Sequence, residues 1–349
     1  MTSNTSAWVG FCATVWPRGL AVSSLSLFWL NIMARTDILL ATYNGATYLP
    51  ELIASIEGQQ DGDYRVLVRD DGSRDGTMAL ILAWQARDPA RVSVVPTDQP
   101  AGGAAGNFAR LMAVAEAPYI LFADQDDIWH PEKVGATVAA LMGAEAVSGA
   151  DTPLLAFCDL AVVDEAGRVL NPSFRRFQGM DAVGGAAFHR LLTENVVTGC
   201  AMGINRAACR IGCNVPPESL MHDWWLALVC AASGRIITMP QCLIDYRQHA
   251  NNAVGAKPWS AADAIVEKIR SRRFRANQQR FLAWMDRLYA QADALQRLHG
   301  PDLPQGPART LAAFRSLPRL GFLARRIRMI RYGFRLSGVI RTIGFYLRA

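Results

Sequence analysis

The sequence predicts an α/β fold with a mainly parallel, Rossmann-like sheet flanked by helices, and three observations carry that reading. Short apolar runs of strand composition recur at Asp37–Ala41, Arg65–Arg69, Arg91–Val95 and Tyr119–Ala123, and polar turns and helical apolar spacing follow them. Repetition of strand, turn and helix implies right-handed crossovers and hence parallel pairing. Three of the runs end in turns bearing amides or carboxylates: Asn44, Asp70 with Asp71, and Asp124 with Asp126. They gather on the edge where open α/β sheets bind ligands.

Taken in order, the first run leads through Thr42-Tyr43-Asn44-Gly45 into a helix with Leu49, Leu52, Ile53 and Ile56 on one face. The second ends on Asp70-Asp71-Gly72-Ser73 before a helix from Met78 to Ala86. After the third, residues 99–106 form a glycine-rich loop, followed by a helix placing Phe108, Leu111 and Met112 on one side. That loop matches neither a dinucleotide fingerprint nor a P-loop, so it reads as an ordinary flexible connection. The fourth run stops on Asp124, Gln125, Asp126 and Asp127, too acidic to continue into a core. Clustered oxygens at such an edge suit a hard divalent cation holding a phosphorylated substrate, and equally a solvated turn capping the helix that Pro131 opens.

Downstream, a helix covers Pro131–Leu141 and a longer strand Leu154–Val163, and residues 171–185 are irregular. A short helix lies near Ala187–Leu192. Val197–Ile204 reads as a strand whose small residues let a ligand lie close. His222-Asp223-Trp224-Trp225 opens an apolar helix, where Asp223 can cap free N–H groups or carry chemistry. Arg235–Met239 and Cys242–Arg247 read as paired strands, and a charged helical stretch runs from Ser260 to about Leu298.

Bulk properties narrow the function. With 51% apolar and 19% charged residues among 349, the chain is globular rather than disordered. The net charge of +6 is smaller than the count of eight arginines between Arg319 and Ala349, where no acidic residue stands. The basicity belongs to the tail, and the body is no nucleic-acid binder. Seven cysteines without a C-x-x-C pair fit reduced thiols in a reducing compartment. Residues 1–33 read as an apolar leader or an upstream-start extension, since Pro17-Arg18 splits two runs too short to span a bilayer.

The motifs ATYNG at 41–45, RDDGSRDGT at 69–77, GNF at 106–108, DQDDIWHPEK at 124–133, HDWW at 222–225 and YRQH at 246–249 together resemble the family 2 glycosyltransferases. Their order and separations carry the resemblance, which spans about Thr36 to Asn252. It implies a GT-A nucleotide-diphospho-sugar transferase fold with a C-terminal helical extension. The implied division is 34–255 catalytic domain, 256–317 helical extension and 318–349 arginine-rich amphipathic tail. DQDDIW with a later YRQH is similar to rhamnosyltransferase-like enzymes of O-antigen and other surface polysaccharides. The family's usual proline before the first Tyr-Asn is replaced by Ala41-Thr42.

Carried over residue by residue, the resemblance implies that Thr42, Tyr43 and Asn44 flank the nucleotide and that Asp71 or Asp70 bonds the base edge. Asn107, Gln125 and Trp224 complete the substrate pocket. It further implies that Asp126 holds Mg²⁺ or Mn²⁺, that Asp124 contacts the nucleotide ribose or the metal, that Asp127 is spare, that Asp223 is the general base, and that His249 meets the metal or diphosphate. The implied partners are a nucleoside-diphosphate sugar donor and a lipid-linked glycan acceptor, at the inner face of the cytoplasmic membrane. A nucleotidyltransferase and a non-catalytic membrane-surface scaffold are the competing readings. In the tail, Leu320, Leu323, Ile327, Ile330 and Phe334 fall on one helical face among arginines. That suits a helix in an anionic membrane interface, or a solvated basic helix packed on the domain.

Overall fold

The computed structural model describes residues 35–97, 99–249 and 274–349; the expected leader and the segment 250–273 lie outside the described residues. Strands β1 (Thr36–Thr42), β2 (Tyr64–Asp70), β3 (Val92–Val94) and β4 (Tyr119–Asp124) form the parallel half of one sheet, in the order β3-β2-β1-β4. Helices α1 (Leu49–Glu57), α2 (Thr77–Arg87) and α3 (Ala104–Val114) make the crossovers. In β1, Ile38 and Leu40 enter one buried cluster and Leu39 the other, so both faces of the strand are covered. The polar start of β1 is buried too, but it is satisfied. Asp37 accepts from Arg65 Nε at 2.5 Å and from the N–H groups of Glu116 and Ala117 at 2.7 and 2.9 Å, tying β1 to β2 and to the turn before β4.

The second half of the sheet is mixed. It is built from β5 (Ile128–Trp129), β6 (Leu154–Val163), β7 (Val169–Asn171), β8 (Met202–Asn205) and β9 (Arg235–Arg247), continuing the order as β4-β8-β6-β9-β5 with β7 beside β6. Strand β8 runs antiparallel to both β4 and β6, while β9 is parallel to β6. Between them lie α4 (Lys133–Ser148), α5 (Phe174–Gln178), α6 (Ala182–Gly185), α7 (Phe188–Leu191), α8 (Arg206–Gly212) and α9 (His222–Ser233).

Two expected elements differ. Residues 235–239 and 242–247 are one strand, both parts pairing with β6 rather than with each other. The register jumps from Phe157↔Thr238 to Asp159↔Cys242, which absorbs Pro240, a residue with no N–H for the ladder. The strand expected from Val197 begins only at Met202, after a 3-10 turn at Gly199–Ala201. Val197, Thr198 and Gly199 of that stretch line the cleft described below, whereas Gly203 serves packing: a Cβ there would lie 2.6 Å from Thr137 Cγ2 and 3.2 Å from Leu121 Cδ1.

Helices α1, α2 and α4 cover one face of the sheet. On the other face lie α3, α8 and α9, together with α10 (Phe274–His299), α11 (Gln305–Arg315), α12 (Phe322–Tyr332) and α13 (Val339–Arg348). The C-terminal helices share this core, since Phe314, Met329, Phe334 and Phe345 join the cluster that holds Phe108 and Trp225. Residues 35–349 accordingly form one compact unit. The single apolar face expected in the tail is divided. Gly333, at φ +71°, ends α12 in a left-handed cap and turns Phe334 inward, edge-on to Phe314 at 5.1 Å, while Leu323, Ile327 and Ile330 stay outside.

Overpacking at the β4–β8 contact gives a direct test of this arrangement. Gly203→Val is expected to lower stability by about 1–3 kcal/mol in urea unfolding; an unchanged midpoint would contradict the close approach of α4 to the sheet.

Candidate active site

Strand register builds the site. Pairing of Ala41 with Asp124 and of Thr42 with Asp70 brings the ends of β1, β2 and β4 to one level. A cleft of about 1380 Å³ opens there, and its lining includes Thr42, Tyr43, Asn44, Asp71, Asn107, Asp124, Gln125, Asp126, Asp223, Trp224 and His249. Among the expected substrate and metal residues, Asp70 alone does not line it. Its Oδ2 accepts from Thr42 Oγ1 (2.8 Å) and Ser73 Oγ (2.5 Å), and its Oδ1 from the N–H groups of Gly72 and Ser73. Asp70 thereby shapes the turn, and its neighbour Asp71 faces the cleft.

Asp71 draws the glycine-rich loop onto itself. Its carboxylate accepts from the N–H groups of Ala101 and Gly103, and the buried Arg69 guanidinium lies 3.4 Å away. Arg69 also donates to Asn107 Oδ1 and to the carbonyl of Gln99, both at 2.8 Å, and Asn107 Nδ2 returns a bond to the Arg69 carbonyl. The loop expected to be merely flexible is thus fastened by Asp71 and Arg69, with Asn107 holding Arg69 in place. Sequence reading missed Arg69, although an arginine closing an apolar strand directly before two aspartates was a visible signal.

The first turn is fixed just as closely. Gln125 pairs its side-chain amide with the backbone of Tyr43, accepting from its N–H at 2.8 Å and donating to its carbonyl at 2.9 Å. Asn44 adopts φ +49°, accepts at Oδ1 from the N–H of Arg74, and donates its own N–H to Ser73 Oγ. A Cβ on Gly45 would fall 2.2 Å from Gln125 Oε1, so glycine leaves the room that the pairing needs.

At the end of β4 the acidic residues divide in role. Asp126 Oδ2 lies 2.8 Å from His249 Nε2, and the His249 ring rests 4.7 Å from that of Tyr48. Burial, then the charges of Asp126 and Asp223, push Asp124 up to about 7. Asp127, expected to be spare, is wholly buried, with ligand atoms of Asp124, Asp127 and Cys200 all within 4.8 Å of one another. Burial pushes the Cys200 thiol well up, which keeps it protonated and unsuited to a hard cation; the carboxylates of Asp124 and Asp126, open to the cleft, have the right chemistry for one. Beneath them Lys133 is buried with its ammonium 4.2 Å from the Trp129 ring centre. Arg247, also missed from sequence, braces the acidic turn: it donates to the carbonyls of Asp126 (3.2 Å) and Glu165 (2.6 Å) and to Glu51 Oε2 (2.6 Å).

Across the cleft, Asp223 sits in the first turn of α9 and accepts from Asn195 Nδ2 at 3.2 Å and from the Trp224 N–H at 2.5 Å. Burial outweighs those bonds and pushes its carboxyl up to about 7. Asn195, another residue that sequence reading passed over, is itself held by two bonds to Val197. Trp224 donates Nε1 to the Leu191 carbonyl at 2.6 Å, fixing the indole in the wall. His222 is buried, 4.2 Å from the Phe108 ring, and burial lowers its imidazole to about 3, so it is neutral.

Comparison with known proteins agrees with this geometry. The model of the family described as "Glycosyl transferase family 2" matches residues 37–155, which run from β1 into β6. The dTDP-rhamnosyl transferase RfbG of Shigella flexneri is 30% identical over 226 residues, covering 62% of this chain and 74% of the relative. The chain belongs to glycosyl transferase family 2. The putative teichuronic acid biosynthesis glycosyltransferase TuaG of Bacillus subtilis is 21% identical to this family 2 glycosyltransferase over 231 residues, 65% of this chain and 83% of the relative. The crystal structure of S. aureus TarS in complex with UDP-GlcNAc superposes with a TM-score of 0.54 at 16% identity, covering 85% of this chain and 79% of that one. The fold of this glycosyltransferase is GT-A.

The Gly45–Gln125 contact can be probed in the enzyme. Gly45→Ala displaces only the end of a side chain, so stability should change by less than about 1 kcal/mol. The freed Tyr43 backbone should raise KM for the donor several-fold, and an unchanged KM would show that the pairing does not shape the pocket.

Proposed function

We propose that this enzyme is a metal-dependent, inverting glycosyltransferase. It moves a sugar from a nucleoside-diphosphate donor to a hydroxyl of a lipid-linked glycan, in the assembly of a bacterial surface polysaccharide. One observation carries the reading: Asp223, held near neutrality by burial, shares a cleft with the carboxylates of Asp124 and Asp126. The similarity to a dTDP-rhamnosyl transferase supports rhamnose as the first sugar to try. The acceptor places the work at the inner face of the cytoplasmic membrane. A nucleotidyltransferase is disfavoured because β1 is followed by Tyr43 and Asn44 rather than by a glycine-rich loop with Arg and Lys.

Asp124 and Asp126 would hold Mg²⁺ or Mn²⁺, with His249 fixing Asp126. When bound, such an ion supplies the positive charge that a departing diphosphate needs. The protein's own groups do the rest. Tyr43, Asn44 and Asp71 lie where β1 and β2 end and receive the nucleotide, and the anchored glycine-rich loop closes that side. Asp223 accepts the proton of the acceptor hydroxyl as its oxygen forms the bond to the anomeric carbon and the bond to the diphosphate oxygen breaks. A single displacement of this kind inverts the anomeric centre. A base near 7 is well matched to the task, since it is ionised enough to accept and basic enough to pull.

Asp223→Asn should lower turnover by about 10²–10⁴-fold, read as released nucleoside diphosphate, while calorimetry shows donor binding intact. Equal turnover in the variant would remove Asp223 from the base role. The rate should also rise with pH and level off above about 7, because the carboxyl must lose its proton to act. Stability carries the opposite sign. A carboxyl raised on folding is disfavoured in its ionised form, so Asp223 lowers stability progressively from the unfolded carboxylate range up to about 7. Asp223→Asn should therefore melt no lower than the native enzyme at alkaline pH, and a large drop in Tm there would overturn this account.

A further inference from the structure

Helices α12 and α13 present an apolar face that the chemistry of the cleft does not use. They form a hairpin: residues 333–338 join one pair of ends, and at the other Arg325 and Arg326 donate to the carbonyls of Ala349 and Leu347, at 3.0 and 3.5 Å. Each helix buries one side in the same core cluster, α12 through Met329 and α13 through Phe345. Their outward sides carry Leu323, Ile327 and Ile330, and Val339, Ile343 and Leu347, with exposures from 53% at Ile343 to 75% at Val339. Both helices bury one side in a common cluster and turn these aliphatic groups outward, a concentration that scattered surface exposure does not account for.

Charge identifies what covers the patch. Arg319, Arg331 and Arg335 are exposed in the same segment, and no acidic residue occurs from 319 to 349. Among the described residues, only Arg341 of this segment reaches an acidic side chain, Glu194 at 3.7 Å. A second copy of the chain packed on this face by two-fold symmetry would set arginines against arginines. An anionic lipid surface instead offers both an apolar layer and neutralising phosphates. No helix among the described residues is long and apolar enough to cross a membrane, so the face would lie along the surface.

We propose that α12 and α13 together form a docking face for an anionic bilayer, with the hairpin lying in the interfacial plane and the arginines at the phosphate level. The inference sharpens, and rests on, the reading of a membrane-borne acceptor. It replaces the expected single amphipathic helix with a paired surface. Deleting the tail would be a poor test, because Met329, Phe334 and Phe345 are core residues. Exposed positions serve better.

The full-length chain should sediment with phosphatidylcholine vesicles containing phosphatidylglycerol, be released by salt, and ignore phosphatidylcholine alone. The combined variant Ile327→Ser, Ile330→Ser, Ile343→Ser should bind about tenfold more weakly or worse, because binding scales with the apolar area inserted. Its melting curve should not move. Undiminished vesicle binding by the variant would overturn the proposal, as would no binding by the native chain. So would a native dimer that the variant dissociates with no change on vesicles. Donor turnover on a water-soluble acceptor, measured in parallel, keeps the two readings apart. Turnover without vesicle binding removes only the docking face, whereas vesicle binding without turnover on any acceptor removes the glycosyl-transfer reading.

Discussion

Crowding of negative charge at the end of β4 is the constraint that the surrounding structure accommodates. Asp124, Asp126 and Asp127 occupy four consecutive positions with Gln125, and Asp223 faces them across the cleft. Burial of carboxylates beside one another raises proton affinity, and both Asp124 and Asp127 are pushed up first by burial and then by the charge of Asp126. The protein answers with nitrogen-bearing side chains placed behind and beside the cluster. Lys133 lies beneath it, Arg247 grips the turn through the Asp126 carbonyl, and His249 meets the Asp126 carboxylate. These partners hold the end of β4 in place, where Asp124 and Asp126 line the cleft.

A second accommodation is made where β2 ends. Asp70 and Asp71 are neighbours in the chain but face different tasks. Asp70 spends its oxygens on its own turn, and Asp71 collects the loop that follows β3. Arg69 and Asn107 lock that arrangement from behind through a reciprocal pair of hydrogen bonds. The pocket is preorganised by bonds among its own lining side chains and the buried Arg69 behind them, which limits the conformational entropy lost on binding.

Much of this was legible in the sequence because local pattern and global fold agree there. The strands through β4, the strand Leu154–Val163 and the helix opening at His222 follow from apolar runs punctuated by polar turns. The carboxylate edge follows from parallel pairing alone. Contacts of long sequence separation were not legible: Arg247 to Glu51, Asn195 to Asp223 and Gln125 to Tyr43 join residues that composition treats as unrelated. Period counting failed where one residue redirected the chain. Pro240 reads as a strand break yet is absorbed as an irregularity within β9, and Gly333 turns Phe334 out of phase with the stripe it seemed to continue.

The sharing of one core by the C-terminal hairpin and the cleft has a geometric consequence. Phe345 and Met329 belong to the same packed cluster as Trp224 and Trp225, the residues that immediately follow Asp223 in α9. Close-packed interiors transmit position with little give, so the outer surface of the hairpin stands at a set distance from the cleft. A catalyst seated on a surface through such a strut works as a height gauge. With the proposed docking face and membrane-borne acceptor, it would reach hydroxyls within one narrow band above that surface, so the length of the glycan already built would itself help decide which sugar unit receives the next one.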